Sequence, residues 1–470
     1  MKRFVLAFVA SSALLSVSVP ASAQVWLKDR QATQGAGIRS GDFELHPGIA
    51  AELGYDSNYF NRAPNKPYPV VDTVRLRITP QFHVSTLGQQ RRADGSLSAP
   101  PKVSFSAGAA FIYSHFLMNA GTGTESERLK RLGRDFEWGM LGDFALGVAP
   151  GRPWGLNLFD QFQRTAQPSL DPLVESGLNR IENRVAGEIV HTRPGGLLDW
   201  RLGYAFGITY FENGPNPAVT GTTVSPQDFN NYRHELYTTG RWRFLPRTAL
   251  VYNGSFWWQN YANEVPGLAN SRPVRTRIGL SGLVTDRFSV LALVGWGAGF
   301  YANAGVGDRD FDSVIGQVEL RYFLTGAAPE AGQPAPATSS SIGAGFTRDF
   351  FNSYIGNYYE RNRGYLTMSA IFAHQFQVTL DAGVAGIHYG TPLDRGTGRA
   401  LRSTGFTNVR IDASLFAEYR AKDWLGFNAT YQYLQEVSNV TLPSGLAANA
   451  PRYGLGFNRH QVFGGVRVFF

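Results

Sequence analysis

Leu198-Asp-Trp-Arg-Leu-Gly-Tyr-Ala-Phe-Gly-Ile-Thr-Tyr210 alternates without a slip. Leu198, Trp200, Leu202, Tyr204, Phe206, Ile208 and Tyr210 fall on one side; Asp199, Arg201, Gly203, Ala205, Gly207 and Thr209 fall on the other. A period of two is the signature of a strand, whose side chains point to opposite faces in turn. One face here is continuously apolar and the other is charged or glycine-rich. A soluble core would need that second face to be less charged, and soluble strands are usually only ~5 to 6 residues long. A strand of about 10 residues or more is long enough to cross a bilayer at a tilt.

The same pattern recurs along the chain. Upstream it marks Phe43 to Tyr55, Val74 to Val84, Val103 to Tyr113, Phe136 to Val148, Trp154 to Gln163 (less cleanly) and Arg180 to His191. Downstream, strands centre on Leu236 and Trp242, Leu250 and Phe256, Ile278 and Leu280, Val290 and Val294, and Val318 and Leu320. Ala344 and Phe346, Leu366 and Met368, Val378 and Leu380, Ile411 and Leu415, and Phe427 and Tyr431 mark others, and the last holds Val466 and Val468. The total is about 18. Pro47 and Pro80 interrupt two of these runs, each removing a ladder donor.

Connections alternate in length. Short turns lie at Ala149 to Pro153, Pro194 to Gly196, Leu245 to Arg247, Thr285 to Arg287, His374-Gln375 and Lys422-Asp423. Long polar loops lie at Ser57 to Val71, Asn119 to Gly133, Glu212 to Asn230, Gly390 to Thr407 and Glu436 to Asn458. Gly88 to Pro101 and Thr325 to Ser340 are long segments on the short side. Aromatic residues gather at strand ends: Trp154, Trp200, Trp242 and Trp424 by the turns, Tyr55, Tyr113, Trp138, Tyr210, Trp258 and Trp296 by the loops. Short turns on one side, loops on the other and two aromatic girdles describe a transmembrane antiparallel up-and-down β-barrel. Closure satisfies every backbone group in lipid, so a chain of slightly negative mean hydropathy can still live there.

Composition agrees with export. There is no cysteine, so no disulfide holds the fold; 33 Phe, 21 Tyr, 9 Trp and 53 Gly suit aromatic belts and tight turns. Residues 1–23 open with Lys2 and Arg3, run apolar from Phe4 to Val19 and end on Ala21-Ser22-Ala23, the pattern of a cleaved signal peptide. Residues 24–41 are expected to form a periplasmic tail too small to plug the barrel, and residues 42–470 the barrel itself. The formal charge of +8 bears on which anions enter or how anionic lipid is met, and an exported chain has no nucleic-acid partner to expect.

The charged face is the candidate functional surface. Arg75, Arg77, Arg184, Arg201, Arg233, Arg241, Arg243, Arg275, Arg277, Arg361 and Arg363, with Glu182, Glu188 and Glu235, are expected to line the lumen. Arg410 and the acids Glu52, Glu137, Asp143, Glu319, Asp381, Asp412 and Glu418 share that face. They either brace a wet interior by cross-strand pairing or lay an arginine-lined path for anionic or hydroxyl-rich solutes. His46 and His83 should lie near each other beside Glu44, but the spacing is not specific to a metal. Asp308, Asp310 and Asp312 lack the remaining calcium-loop positions. No G-x-S-x-G or H-E-x-x-H occurs. Neither an enzyme, a metal nor a cofactor is expected.

The final stretch, Arg459 to Phe470 (RHQVFGGVRVFF), resembles the C-terminal targeting strand of outer-membrane β-barrels, with Val466, Val468 and the terminal Phe470 as the assembly signal. Gly41 to Phe60 (GDFELHPGIAAELGYDSNYF), with its H-P and G-Y-D-S-N-x-F, resembles the opening strand of outer-membrane β-barrel porins of the second type. Some of that class are similar to polysaccharide-export porins that work with a periplasmic export partner. The resemblance implies a Gram-negative outer-membrane pore for a solute or polymer, handled by the outer-membrane assembly machinery. The alternative is a structural scaffold or anchor of an envelope machine for surface motility or adhesion.

Overall fold

In the computed structural model, the described residues are 37–64, 70–86, 102–117, 135–166, 179–193, 195–212, 225–302, 310–325, 340–372, 375–394, 396–443 and 452–470. The expected signal peptide (residues 1–23), residues 24–36 of the expected tail and most of the two long connections on the short-turn side lie outside them.

Along the chain run β1 (Ile38–Ser40), β2 (Phe43–Asp56), β3 (Thr73–Thr86), β4 (Val103–Leu117), β5 (Phe136–Val148), β6 (Trp154–Thr165) and β7 (Arg180–Thr192). Then come β8 (Leu198–Phe211), β9 (Asn231–Leu245), β10 (Thr248–Tyr261), β11 (Ser271–Thr285), β12 (Phe288–Tyr301), β13 (Phe311–Thr325) and β14 (Ser340–Asn352). The rest are β15 (Tyr358–Phe372), β16 (Phe376–Tyr389), β17 (Phe406–Lys422), β18 (Leu425–Val437), β19 (Thr441–Pro443), β20 (Arg452–Gly454) and β21 (Phe457–Phe469).

The expected barrel of about 18 strands is an antiparallel ring of 18: β2 to β18 in sequence, closed by β21. β21 lies between β18 and β2, with Val462 opposite Tyr55, Val466 opposite Ala51 and Val468 opposite Ile49. β19 and β20 form a separate small ribbon in the last loop. Within each strand the apolar set turns outward. Leu198, Ile278, Val294 and Val314 are 51 %, 49 %, 59 % and 58 % exposed, part of an outward apolar belt of the kind that lipid covers. Trp154, Trp242 and Trp424 edge that belt near the short turns, and Trp138 and Trp296 near the loops.

Two sequence features acquire a physical account. The terminal Phe470 donates its N–H to the Pro47 carbonyl at 3.0 Å, so Pro47 stands where the closing strand ends and a donor is least needed. The β3–β4 ladder skips from Ile78↔Tyr113 to Gln81↔Ala110, leaving Pro80 in the gap. The end of the tail departs from expectation. Ile38–Ser40 turns back through Gly41 and pairs with the start of β2, Ile38 opposite Leu45, covering edge that β21 does not reach. β6 read poorly because its lipid side carries polar groups: Asp160 accepts a bond from Asn183 at 2.7 Å, and Arg164 lies 3.6 Å over the Trp138 ring.

Candidate functional site

The inward alternation carries Arg75 and Arg77 on β3, Glu182, Arg184 and Glu188 on β7, Arg201 on β8, and Arg233, Glu235, Arg241 and Arg243 on β9. It continues with Arg275 and Arg277 on β11 and Arg361 and Arg363 on β15. Their partners sit mostly on neighbouring strands, since opposite residues of an antiparallel pair share a face. The groups are not scattered evenly. They meet in separate knots around the wall.

At the closing seam Asp56 accepts from Arg75 Nη2 and Arg459 Nε at 2.9 Å each, and from Gln461 Nε2 at 2.8 Å. Arg75 also reaches Glu137 at 3.4 Å. One layer lower, Arg77 pairs with Glu52 at 3.2 Å and lies 3.6 Å over the Phe463 ring, while Arg467 pairs with Glu418. Across the ring, Asp199 holds both Arg241 and Arg243, and Glu188 faces Arg201 at 3.7 Å and accepts from Asn157 at 2.9 Å. Glu235 lies 3.2 Å from Arg184 and 3.9 Å from Arg233. Asp349 takes Arg275 at 2.9 Å and also Arg277. Arg363 is the reverse case, held by Asp381 at 2.6 Å and by Asp412.

Charge follows from this sharing. Asp199, Glu235 and Asp349 each serve two guanidinium groups, so these three knots keep an excess positive charge; at Asp56 the second carboxylate, Glu137, balances the second arginine, and at Arg363 the excess is negative. Arg361 adds to the positive side: among the described residues it has no carboxylate within ion-pair distance, and its guanidinium lies 4.7 Å over Phe351. Charges along a low-dielectric wall focus a field into the lumen and raise the local concentration of the opposite sign. Aromatic rings line the same region, with Arg275 4.2 Å over Trp257 and 4.3 Å over Phe350.

Sequence reasoning missed the feature that narrows the lumen. The hairpin of β14 and β15 has a connection of only 353–357, yet its tip leans into the ring. Tyr354 meets Phe229 at 5.1 Å and Phe211 at 6.0 Å, at the loop end of β8. Ile355, fully buried, packs with Ile387, Tyr389, Leu442 and Leu455, and its carbonyl accepts the Leu393 N–H at 2.9 Å. The signal in sequence was a broken alternation, the adjacent aromatics Phe350-Phe351 and Tyr358-Tyr359.

At the short-turn end His46 and His83 are cross-strand partners, rings 6.4 Å apart, and His46 Nε2 lies 3.5 Å from Glu44. Among the described residues no group of three or more His, Asp or Glu side chains is arranged to hold a metal ion. Asp310 accepts the Tyr301 N–H and Asp312 the Trp296 indole N–H, so both serve the wall; Asp308 lies outside the described residues.

No family model and no curated protein matches this chain. Among solved structures it is similar to the outer-membrane protein OpdK of Pseudomonas aeruginosa, at 11 % identity over 91 % of this chain and 99 % of that one, TM-score 0.39. Acinetobacter baumannii OccAB4 gives 10 % identity, 91 % and 98 % coverage and a TM-score of 0.39. The ferric enterobactin receptor PfeA gives 9 %, 91 % and 81 %, and 0.37. Likeness at this level says nothing of solutes, and the functional reading rests on the chain's own geometry.

Proposed function

We propose that this chain is a non-enzymatic passage across the Gram-negative outer membrane that favours anionic solutes. The observation that carries the reading is the carboxylates at Asp199, Glu235 and Asp349, each shared by two arginines, which outnumber the one reverse case at Arg363 and leave positive charge in excess there. The lipid-facing belt, the short turns opposite long loops, and the export-type start of the sequence support the outer membrane as its place. Arginine beside aromatic rings also suits an acidic, hydroxyl-rich polymer, since rings offer flat apolar faces to sugars and guanidinium groups pair with carboxylates. With the resemblance of Gly41 to Phe60, that supports an exported acidic polysaccharide, delivered by a periplasmic partner.

The test is conductance of the purified protein in a planar bilayer under a salt gradient. A steady conductance with a reversal potential on the anion side is expected. A cation-side potential would overturn the anion preference. A silent barrel that co-purifies with envelope proteins would support the scaffold reading, which the inward-leaning hairpin also favours.

A further inference from the structure

The ladder between β13 and β14 stops well short of the strand ends. β13 pairs with β12 as far as Phe311↔Gly299, and β14 pairs with β15 as far as Asn352↔Tyr358. Between β13 and β14 the ladder stops at Gly316↔Arg348. Continued one for one, it would set Ile315 opposite Asp349, Val314 opposite Phe350, Ser313 opposite Phe351 and Asp312 opposite Asn352. All eight residues are already in strand conformation. Strand edge is therefore present on both sides without strand-to-strand pairing.

The end of β14 lies inside the ring instead. The Phe350 ring stacks on Phe311 at 4.2 Å, in space kept by Gly297 and Gly299, where an added Cβ would meet that ring at 2.8 and 2.9 Å. Asn352 Nδ2 donates to Gln259 on β10 and to Ser271 on β11, at 2.8 Å each. Asp349 is held by Arg275 and Arg277.

The backbone groups that a finished ladder would join have side-chain substitutes. The Phe323 N–H bonds the Arg287 carbonyl on the β12 side, so by alternation Val314 turns its own groups toward β14. There Arg348 Nε donates to the Val314 carbonyl at 2.9 Å. The Phe350 N–H donates to Asp349 Oδ1 at 2.8 Å, and Arg275 donates to the Phe350 carbonyl. Stand-ins of this kind keep the inner arrangement from leaving buried backbone groups unpaired. They also bring its hydrogen bonding near that of a completed seam. The residue pattern admits the completed seam too, with the polar Arg348 and Asn352 of that face at its loop-side rim. Ile342, Ala344 and Phe346 face lipid, and Phe350 continues that series, so in the ladder it would stand outward beside Val314 with Asp349 toward the lumen.

We propose that the β14–β15 tip has two seats, the inner one described and an outer one in which 349–352 zip onto 312–315, and that the outer seat widens the passage. The gating half of this rests on the passage reading; the second seat does not. A packed element with two discrete arrangements is the usual basis of a switch.

The chain has no cysteine, so Ser313→Cys with Phe351→Cys introduces the only thiols. Opposite residues in the outer seat fall within disulfide reach. In folded, membrane-inserted protein, mild oxidant should consume both thiols, raise conductance, and reductant should restore it. Adding Asp349→Asn, which weakens the inner hold, should speed the cross-link. Thiols that stay free in folded protein, with and without that substitution, would overturn the second seat whatever the conductance. A disulfide with equal conductance in both redox states would overturn the gate. Silence in both states fails the passage reading, and with it the gate.

Discussion

Asp56 shows what one residue does in this wall. It is fully buried and receives two arginines, a glutamine and the Asn58 N–H. Asp56→Ala leaves Arg75 and Arg459 facing each other without their shared counter-charge, and breaking a buried ion pair costs ~3–5 kcal/mol. The folded band on unheated gels should convert to the unfolded one at a clearly lower temperature; an unchanged transition would mean that lumen water already solvates the pair. Gly297 is the complementary case. Its missing Cβ is what admits the Phe350 ring, so Gly297→Ala should weaken the inner seat and raise conductance or its flicker, while an unaltered trace would place Phe350 elsewhere.

Among elements, β21 decides closure. Val462, Val466 and Val468 lie on the lipid side at pairs that join the end of the chain to β2, and Phe470 adds a last backbone bond to Pro47. Deleting Phe470 should reduce the heat-modifiable, folded protein recovered from the outer membrane; undiminished assembly would remove the targeting role and leave the barrel intact. β14 behaves differently from its neighbours because its two halves obey different partners. Up to Arg348 it belongs to the wall, and beyond it the strand follows Phe350 and Asn352 into the lumen.

For the whole molecule, closure removes the edges that a membrane would not tolerate and leaves one inner surface whose charges are shared unequally. The anion preference expected in a bilayer should shrink as salt rises, because the screening length falls from ~10 Å at 0.1 M to ~3 Å at 1 M. A preference insensitive to salt would point to binding at one knot rather than to the field of the wall.

Alternation alone determined the strand count, the lipid face and the inward set from Arg75 to Arg363, because side-chain direction in a strand is local geometry. Turn lengths determined which side carries loops. Local pattern also contained the failure of β6, since Asp160 and Arg164 occupy positions that the period reserves for apolar groups. It did not contain Asp56 as a hub, because Arg459 and Gln461 join it only when the ends of the chain meet. Nor did it contain the inward tip at 353–357. That position depends on Gly297 and Gly299 making room, on Arg275 and Arg277 holding Asp349, and on Ser271 and Gln259 receiving Asn352. These contacts join residues far apart in the chain, and only the closed ring brings them within reach.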